Sequence, residues 1–147
     1  MRIPWDRYFL QIAELVARRS TCLRRQAGAI LVRQRRILTT GYNGAPRGLP
    51  HCEQTGCLRE GLPEGERLER CRGLHAVQNA ILQAAQFGVK VEGSELFTTH
   101  PPCALCAKML VNLAVRRVVV ASGRVEGLSR QILEAAGVGI EDGGPEE

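Results

Sequence analysis

Aromatic side chains are scarce in this chain of 147 residues: one Trp, two Tyr and three Phe. Three of the six, Trp5, Tyr8 and Phe9, fall in the first segment, which disfavours a surface that grips bases on a row of stacking platforms. No apolar run approaches the roughly 20 residues that span a bilayer. The stretch MRIPWDRYFLQIAELVARRS carries Asp6 and Glu14 within an amphipathic pattern and lacks the basic, apolar, small-residue order of an export signal. A cytoplasmic setting without a membrane partner is expected. No internal repeat appears, and charge of neither sign dominates, at 20 Lys and Arg against 15 Asp and Glu. The basic excess comes in short clusters: Arg18-Arg19, Arg24-Arg25, Arg33 with Arg35-Arg36, and Arg116-Arg117. Such clusters suit phosphate-bearing partners, from a mononucleotide to a nucleic acid. They are equally the pattern of a solvated, arginine-rich surface.

The composition is that of a folded domain, 44% hydrophobic and 24% charged, and the length suits a single domain over 1–147. Pro4 to about Arg19 sets Trp5, Tyr8, Phe9, Ile12, Leu15 and Val16 at helical spacing, with Pro4 suited to a first turn. AGAILV (27–32) and RILTTGY (36–42), joined by a polar turn, predict a β-hairpin. Residues 43–73 hold three of the seven prolines and predict a long loop, a feature usually functional or otherwise held in place. A helix from His75 to Gly88 follows, then a strand at 95–100, a helix over Cys103–Leu113 and a buried-type strand at 116–122. A helix at 128–137 and an edge strand at 138–140 complete the pattern, and the acidic, glycine-rich tail 141–147 is expected to fray. Strands alternating with helices after an opening hairpin predict a mixed sheet with helices on both faces.

Six cysteines in a chain without an export signal point away from a disulfide framework, towards metal ligation or reduced thiols. Cys103 and Cys106 form a Cys-x-x-Cys pair at a helix start, directly after Pro101-Pro102. A helix N-terminus brings the two sulfurs together and favours their thiolate forms. His75, opening the neighbouring helix, adds a nitrogen; three such ligands leave a fourth zinc position open. Taken singly, the cysteine pair also fits a redox couple or two buried thiols, and the histidine a satisfied polar residue. Taken together, they match the H-x-E…P-C-x-x-C pattern of zinc-dependent base deaminases at every position but one.

GYNGAPRG (41–48), CRGLHAVQNAILQAA (71–85), HPPCALCAKMLVN (100–112) and RRVVV (116–120) together resemble the deoxycytidylate (dCMP) deaminases of the cytidine deaminase superfamily, a group that includes late-competence deaminase-like proteins. The resemblance covers roughly residues 5 to 140. It implies a three-layer α/β/α sandwich around a five-stranded mixed sheet, and hydrolytic conversion of dCMP to dUMP. By position it implies catalytic zinc on His75, Cys103 and Cys106, a sugar contact from Asn43 and backbone contacts to the base from Ala76. Some family members carry a second, structural zinc; Cys22, Cys52 and Cys71 sit at comparable places, with Cys57 or His51 as a fourth ligand. A closed site of that kind would also keep the long loop ordered. Homo-oligomers, hexameric or dimeric, and dCTP and dTTP as effectors are implied in the same way. Arg24, Arg47 and Arg124 are candidates for a phosphate contact.

Val77 stands where the family has glutamate. Deamination needs a group that accepts a proton from water and delivers it to the ring nitrogen and the leaving amine. Valine can do neither, so this chain is expected to bind zinc and to deaminate poorly or not at all. Three readings follow: a deaminase inactivated by one substitution, a non-catalytic relative that binds nucleotide or nucleic acid as sensor or scaffold, or a reaction using another base. Glu60, Glu64, Glu66 and Glu69 lie in the preceding loop as sources of such a base. A second departure follows RRVVV, where the family continues with an aromatic residue lining the nucleotide pocket and this chain has Ala121, Ser122, Gly123 and Arg124.

Overall fold

The computed structural model describes residues 1–67 and 70–143. Glu69, and residues 144–147 of the expected fraying tail, lie outside the described residues. The elements are α1 (Trp5–Ala17), β1 (Gly28–Arg33), β2 (Arg36–Tyr42), α2 (Cys52–Thr55), α3 (Ala76–Phe87), β3 (Glu95–Thr98), α4 (Ala104–Asn112), β4 (Arg117–Val120), α5 (Gly127–Ala135) and β5 (Gly139–Glu141). Apart from the one-turn helix α2, each corresponds to a segment the hydrophobic periodicity predicts. Four residues cannot be told from loop by periodicity.

The strands form one five-stranded sheet in the order β2-β1-β3-β4-β5. β1 runs antiparallel to β2 and to β3, whereas β3, β4 and β5 are parallel. Alternation along the strands separates two cores. Ala29, Leu31, Leu96, Val118 and Val120 face a large cluster completed by Ala80 and Ala84 of α3, Ala107 and Leu110 of α4, and Leu133 of α5. Ile30, Val32, Phe97 and Val119 face the other way, against Phe9 of α1. The molecule is therefore an α/β/α sandwich with α1 alone on one face and α3, α4 and α5 on the other.

Two glycines set how closely helices approach the sheet. A Cβ at Gly28 would stand 2.2 Å from the Ala13 carbonyl oxygen of α1, and one at Gly41 would stand 2.3 Å from the Ala76 oxygen of α3. Side chains there would push the helices off, so both strands present bare backbone at the point of contact. Pairing of Gly28 with Tyr42 and of Ala29 with Thr98 puts the start of β1 and the ends of β2 and β3 on one edge of the sheet. The loops that bear the candidate residues leave from this edge.

Candidate metal centre

His75 is the N-cap of α3 and Cys103 the N-cap of α4. The His75 amide donates to Oε1 of Gln78 at 2.8 Å, which closes the first turn of α3. Its ring, which also caps the Gln78 amide, faces α4, where Nδ1 lies 3.3 Å from Sγ of Cys106 and 3.4 Å from Sγ of Cys103. The three donor atoms fall within 4.8 Å of one another, and among the described residues no other three His, Cys, Asp or Glu donors come as close. One nitrogen and two sulfurs in a cluster of this size suit zinc in donor type and in number, with a tetrahedral position to spare.

The electrostatics favour a thiolate. Cys103 is drawn down to about 4, first by the hydrogen bond from Cys106 and then by the one from His75, against the opposing effect of burial. Cys106, 1% exposed, is pushed up because it keeps the shared proton and because burial penalises its charge. The pair thus resembles one thiolate and its donor, and the remaining proton would be released to solvent when a metal binds both sulfurs. The turn leading into α4 is pinned from outside: Ser129 of α5, itself buried, donates to the Pro102 carbonyl at 2.6 Å.

The trio opens on a cavity of about 270 Å³ that Asn43, Ala76, Val77, Thr98 and His100 also line. Val77 is 5% exposed and packs in the larger core cluster while contributing to this wall. Asn43 is half committed: its Oδ1 accepts from the Ala27 amide and its Nδ2 donates to the Arg25 carbonyl, each at 2.9 Å. One amide hydrogen and one lone pair remain for a ligand. Burial, with help from the Arg25 charge, holds His100 below its ordinary value, and its Nδ1 pairs with Oγ1 of Thr99 at 2.8 Å.

The arginines divide. Arg24 lines the cavity, whereas Arg47 and Arg124 do not; Arg124 lies against Gly143 instead. Sequence reading passed over two others that do line it, Arg25 and Arg59. Arg25 was legible only as half of a basic pair, and nothing in the local pattern marked Arg59, whose place depends on how the loop folds back. Among the loop carboxylates Glu64 reaches the cavity, while Glu60 and Glu66 do not line it.

The 43–75 segment closes on itself through two backbone bonds between Gly44 and Leu74, at 2.8 and 3.2 Å. This makes it an Ω-like loop held at its neck. Cys22, Cys52 and Cys71 line the same cavity as the trio. Burial raises the Cys52 thiol, Arg72 opposes this, and Cys22, Cys57 and Cys71 add to it. His51 is engaged with Oγ1 of Thr21 at 3.1 Å, and Cys57 accepts from the Arg59 amide at 3.3 Å.

Comparison with known proteins agrees with this geometry. The model of the cytidine and deoxycytidylate deaminase zinc-binding region matches residues 3–122. ComE operon protein 2 of Bacillus subtilis (strain 168) is 38% identical over 142 residues, covering 95% of this chain and 71% of that protein. The deoxycytidylate deaminase of Schizosaccharomyces pombe is 38% identical over 140 residues, covering 93% of this chain. The chain spans less than half of that yeast protein, 43% of its length. A crystal structure of dCMP deaminase from the cyanophage S-TIM5, in complex with dCMP and dUMP, matches with a TM-score of 0.77 at 34% identity, covering 96% of this chain and 98% of that one.

Proposed function

The chain belongs to the cytidine and deoxycytidylate deaminase zinc-binding family, and on that premise we propose that its cleft is built for zinc-dependent hydrolytic deamination of dCMP to dUMP, with turnover impaired by Val77. The observation that carries this reading is the convergence of His75, Cys103, Cys106 and position 77 on one cavity. His75 Nδ1 and the two sulfurs would hold the zinc. Bound there, zinc supplies Lewis acidity for the hydrolysis.

The remaining duties fall to the protein. The amides of Ala76 and Val77 in the first turn of α3 have no intrahelical acceptors and can meet polar atoms of a base, whereas that of Gln78 is taken by the His75 side chain. The uncommitted hydrogen and lone pair of Asn43 suit a sugar hydroxyl. The side chain at position 77 would receive a proton from water and deliver it to the ring nitrogen and the leaving amine; valine offers no atom for this. The experiment is dCMP turnover by the zinc-loaded chain and by its Val77→Glu variant. The substitution is expected to raise kcat by about 10²–10⁴-fold, the usual worth of a placed general acid–base. Efficient turnover by the unsubstituted chain would refute the assigned role of position 77.

One observation favours a second reading, a non-catalytic deaminase-fold protein that binds nucleotide as a sensor or scaffold. Val77 is packed as a core residue, with Ala76, Ala80 and Cys106 in the same cluster. On that reading Val77→Glu stays silent while dCMP still binds.

A second, structural zinc on Cys22, Cys52, Cys71 and Cys57 belongs to the same proposal. Its support is the nearness of Cys22, Cys57 and Cys71 to Cys52, whose thiol they all act on, and the long loop the four would tie down. Metal analysis is expected to give two zinc equivalents per chain, falling to one in Cys52→Ser; a single equivalent in the unsubstituted chain counts against the site. Regulation by dCTP and dTTP rests on the family alone and is read by adding either to the Val77→Glu assay.

A further inference from the structure

One wall of the cavity carries Arg24, Arg25, Arg59 and Glu64. The three arginines are held very differently. Arg24 spends both terminal nitrogens on the loop backbone, donating to the carbonyls of Arg59 and Leu62 at 2.7 Å each. It fastens the loop to the segment before β1 and has little left to offer a ligand. Arg59 is 6% exposed. Its Nε donates to the Glu66 carbonyl at 2.9 Å, but its Nη2 is buried without a hydrogen-bond partner. A buried guanidinium with a bare donor is costly to maintain unless something satisfies it. Arg25 is 40% exposed at its side chain and makes a 2.6 Å bond to Oε1 of Glu64, whose side chain is 62% exposed. Oε2 of Glu64 lies 3.6 Å from Nη2 of Arg24.

Glu64 is thus an anion bound by Arg25, close to Arg24 and within the field of Arg59. Its carboxyl is held below the usual range, first by the hydrogen bond from Arg25, and Arg24 and Arg59 act in the same sense. Three positive charges face one negative charge on this wall, an excess of two. A phosphate monoester carries about −1.5 to −2 at neutral pH and brings three acceptor oxygens. Taking the place of Glu64, it would face all three guanidinium charges with more negative charge than one carboxylate supplies, and would give both Arg59 Nη2 and Arg25 an acceptor. An exposed carboxylate pair is weakly held, as a displaceable stand-in must be.

We propose that Arg25 and Arg59 form the phosphate subsite of the cleft, that Glu64 occupies it as an internal anion, and that the phosphate of an incoming nucleotide displaces Glu64. The subsite deepens the reading of the cleft as a deoxycytidine nucleotide site and rests on it. It assigns the phosphate to Arg25 and Arg59, makes Arg24 a positioning residue, and leaves Arg47 and Arg124 without a part. Binding then lifts one side chain of the loop from the cavity wall, so that Glu64 tunes affinity for phosphorylated over unphosphorylated ligands.

Calorimetric titration of the zinc-loaded full chain with dCMP, deoxycytidine and inorganic phosphate tests this in the unsubstituted protein, Glu64→Gln and Arg25→Gln. Both substituted side chains are exposed enough to spare the fold, which thermal melting would verify. Glu64→Gln is expected to tighten dCMP and phosphate by about 2- to 10-fold, because the closed state no longer competes. Arg25→Gln is expected to weaken both by about 10- to 100-fold, the range for losing a charged hydrogen bond. Deoxycytidine should be unchanged in either variant. If Glu64→Gln leaves dCMP and phosphate unchanged or weakened, or if Arg25→Gln affects deoxycytidine as much as dCMP, the subsite is overturned. If phosphate binds and responds to both substitutions while dCMP and deoxycytidine bind no better than phosphate, the subsite stands and the nucleotide reading falls. If phosphate and dCMP both fail to bind, the subsite falls with it.

Discussion

His75, Cys103 and Cys106 each occupy a helix cap or first turn, and this common placement explains much of the site at the level of single residues. A cap residue has its side chain beside unpaired amides, so a thiolate is favoured there and a ring can turn away from its own helix. Val77, two residues after His75 in the first turn of α3, is close enough to line the cavity and deep enough to be core. His100 supplies the residue-level pH test. Burial first, and then the Arg25 charge, depress its folded value below that of the unfolded chain, near 6.5. The folded state therefore prefers the neutral ring. Its contribution to stability is fully present above the unfolded value and is lost as pH falls through the folded one. Urea midpoints at pH 7.5 and pH 5.5 should show the chain weakening on acidification, and His100→Gln should show a smaller loss; an equal loss in both would remove His100 as the cause.

At the scale of elements, function depends on how near α3 lies to β2. Gly41 touches the first turn of α3 through the Ala76 oxygen and the Ala80 nitrogen, and further bonds fix the two together. Nδ2 of Asn79 donates to the Tyr42 carbonyl at 2.7 Å, and the Thr40 amide donates to Oε1 of Gln83 at 2.9 Å. Gly28 makes the matching contact with α1 on the opposite face. Alanine at either position should cost about 1–3 kcal/mol, the usual range for overpacking. The two are expected to part in metal retention: Gly41→Ala displaces the helix that carries His75 and should lose zinc to a chelator faster, whereas Gly28→Ala disturbs α1 and should not. Thermal melts with a chelator competition read both effects, and equal zinc loss would show that α3 is not the element that sets the site.

Across the whole molecule, Arg117 ties the layers at the edge of the sheet away from the cavity. It donates to Asp6 of α1, to Glu95 of β3 at 2.6 Å, and to Glu141 of β5 at 2.7 and 3.0 Å. These partners raise its already high value further, with the Asp6 hydrogen bond foremost. No helix among the described residues is long and apolar enough to cross a membrane. Leu105 and Met109, one turn apart on α4, remain exposed at 49% and 36%. A homo-oligomer, the assembly the family resemblance implies, is proposed to cover them. Light scattering is expected to give a mass of two or six chains, falling in Leu105→Glu; a monomer at micromolar concentration would count against it.

Periodicity and spacing were enough for the order of the elements, the two-faced sheet and the pairing of His75 with the Cys-x-x-Cys turn. Each of these depends on residues near one another in the chain, or on a motif whose parts each sit at a helix start. Val77 at the position where the family resemblance implies a glutamate is likewise a reading of the sequence, made from its place in the motif. Folding was needed to choose among the arginines. Arg24, Arg25, Arg47, Arg59 and Arg124 are chemically alike in the sequence, and their roles separate only when the Ω-like loop closes at Gly44 and Leu74. That closure buries Arg59, binds Arg24 to carbonyls and leaves Arg25 holding Glu64 at the cavity wall. Local pattern carries no information about such placement, because the contacts join residues 35 to 39 positions apart and the energy that selects them is spread over the loop.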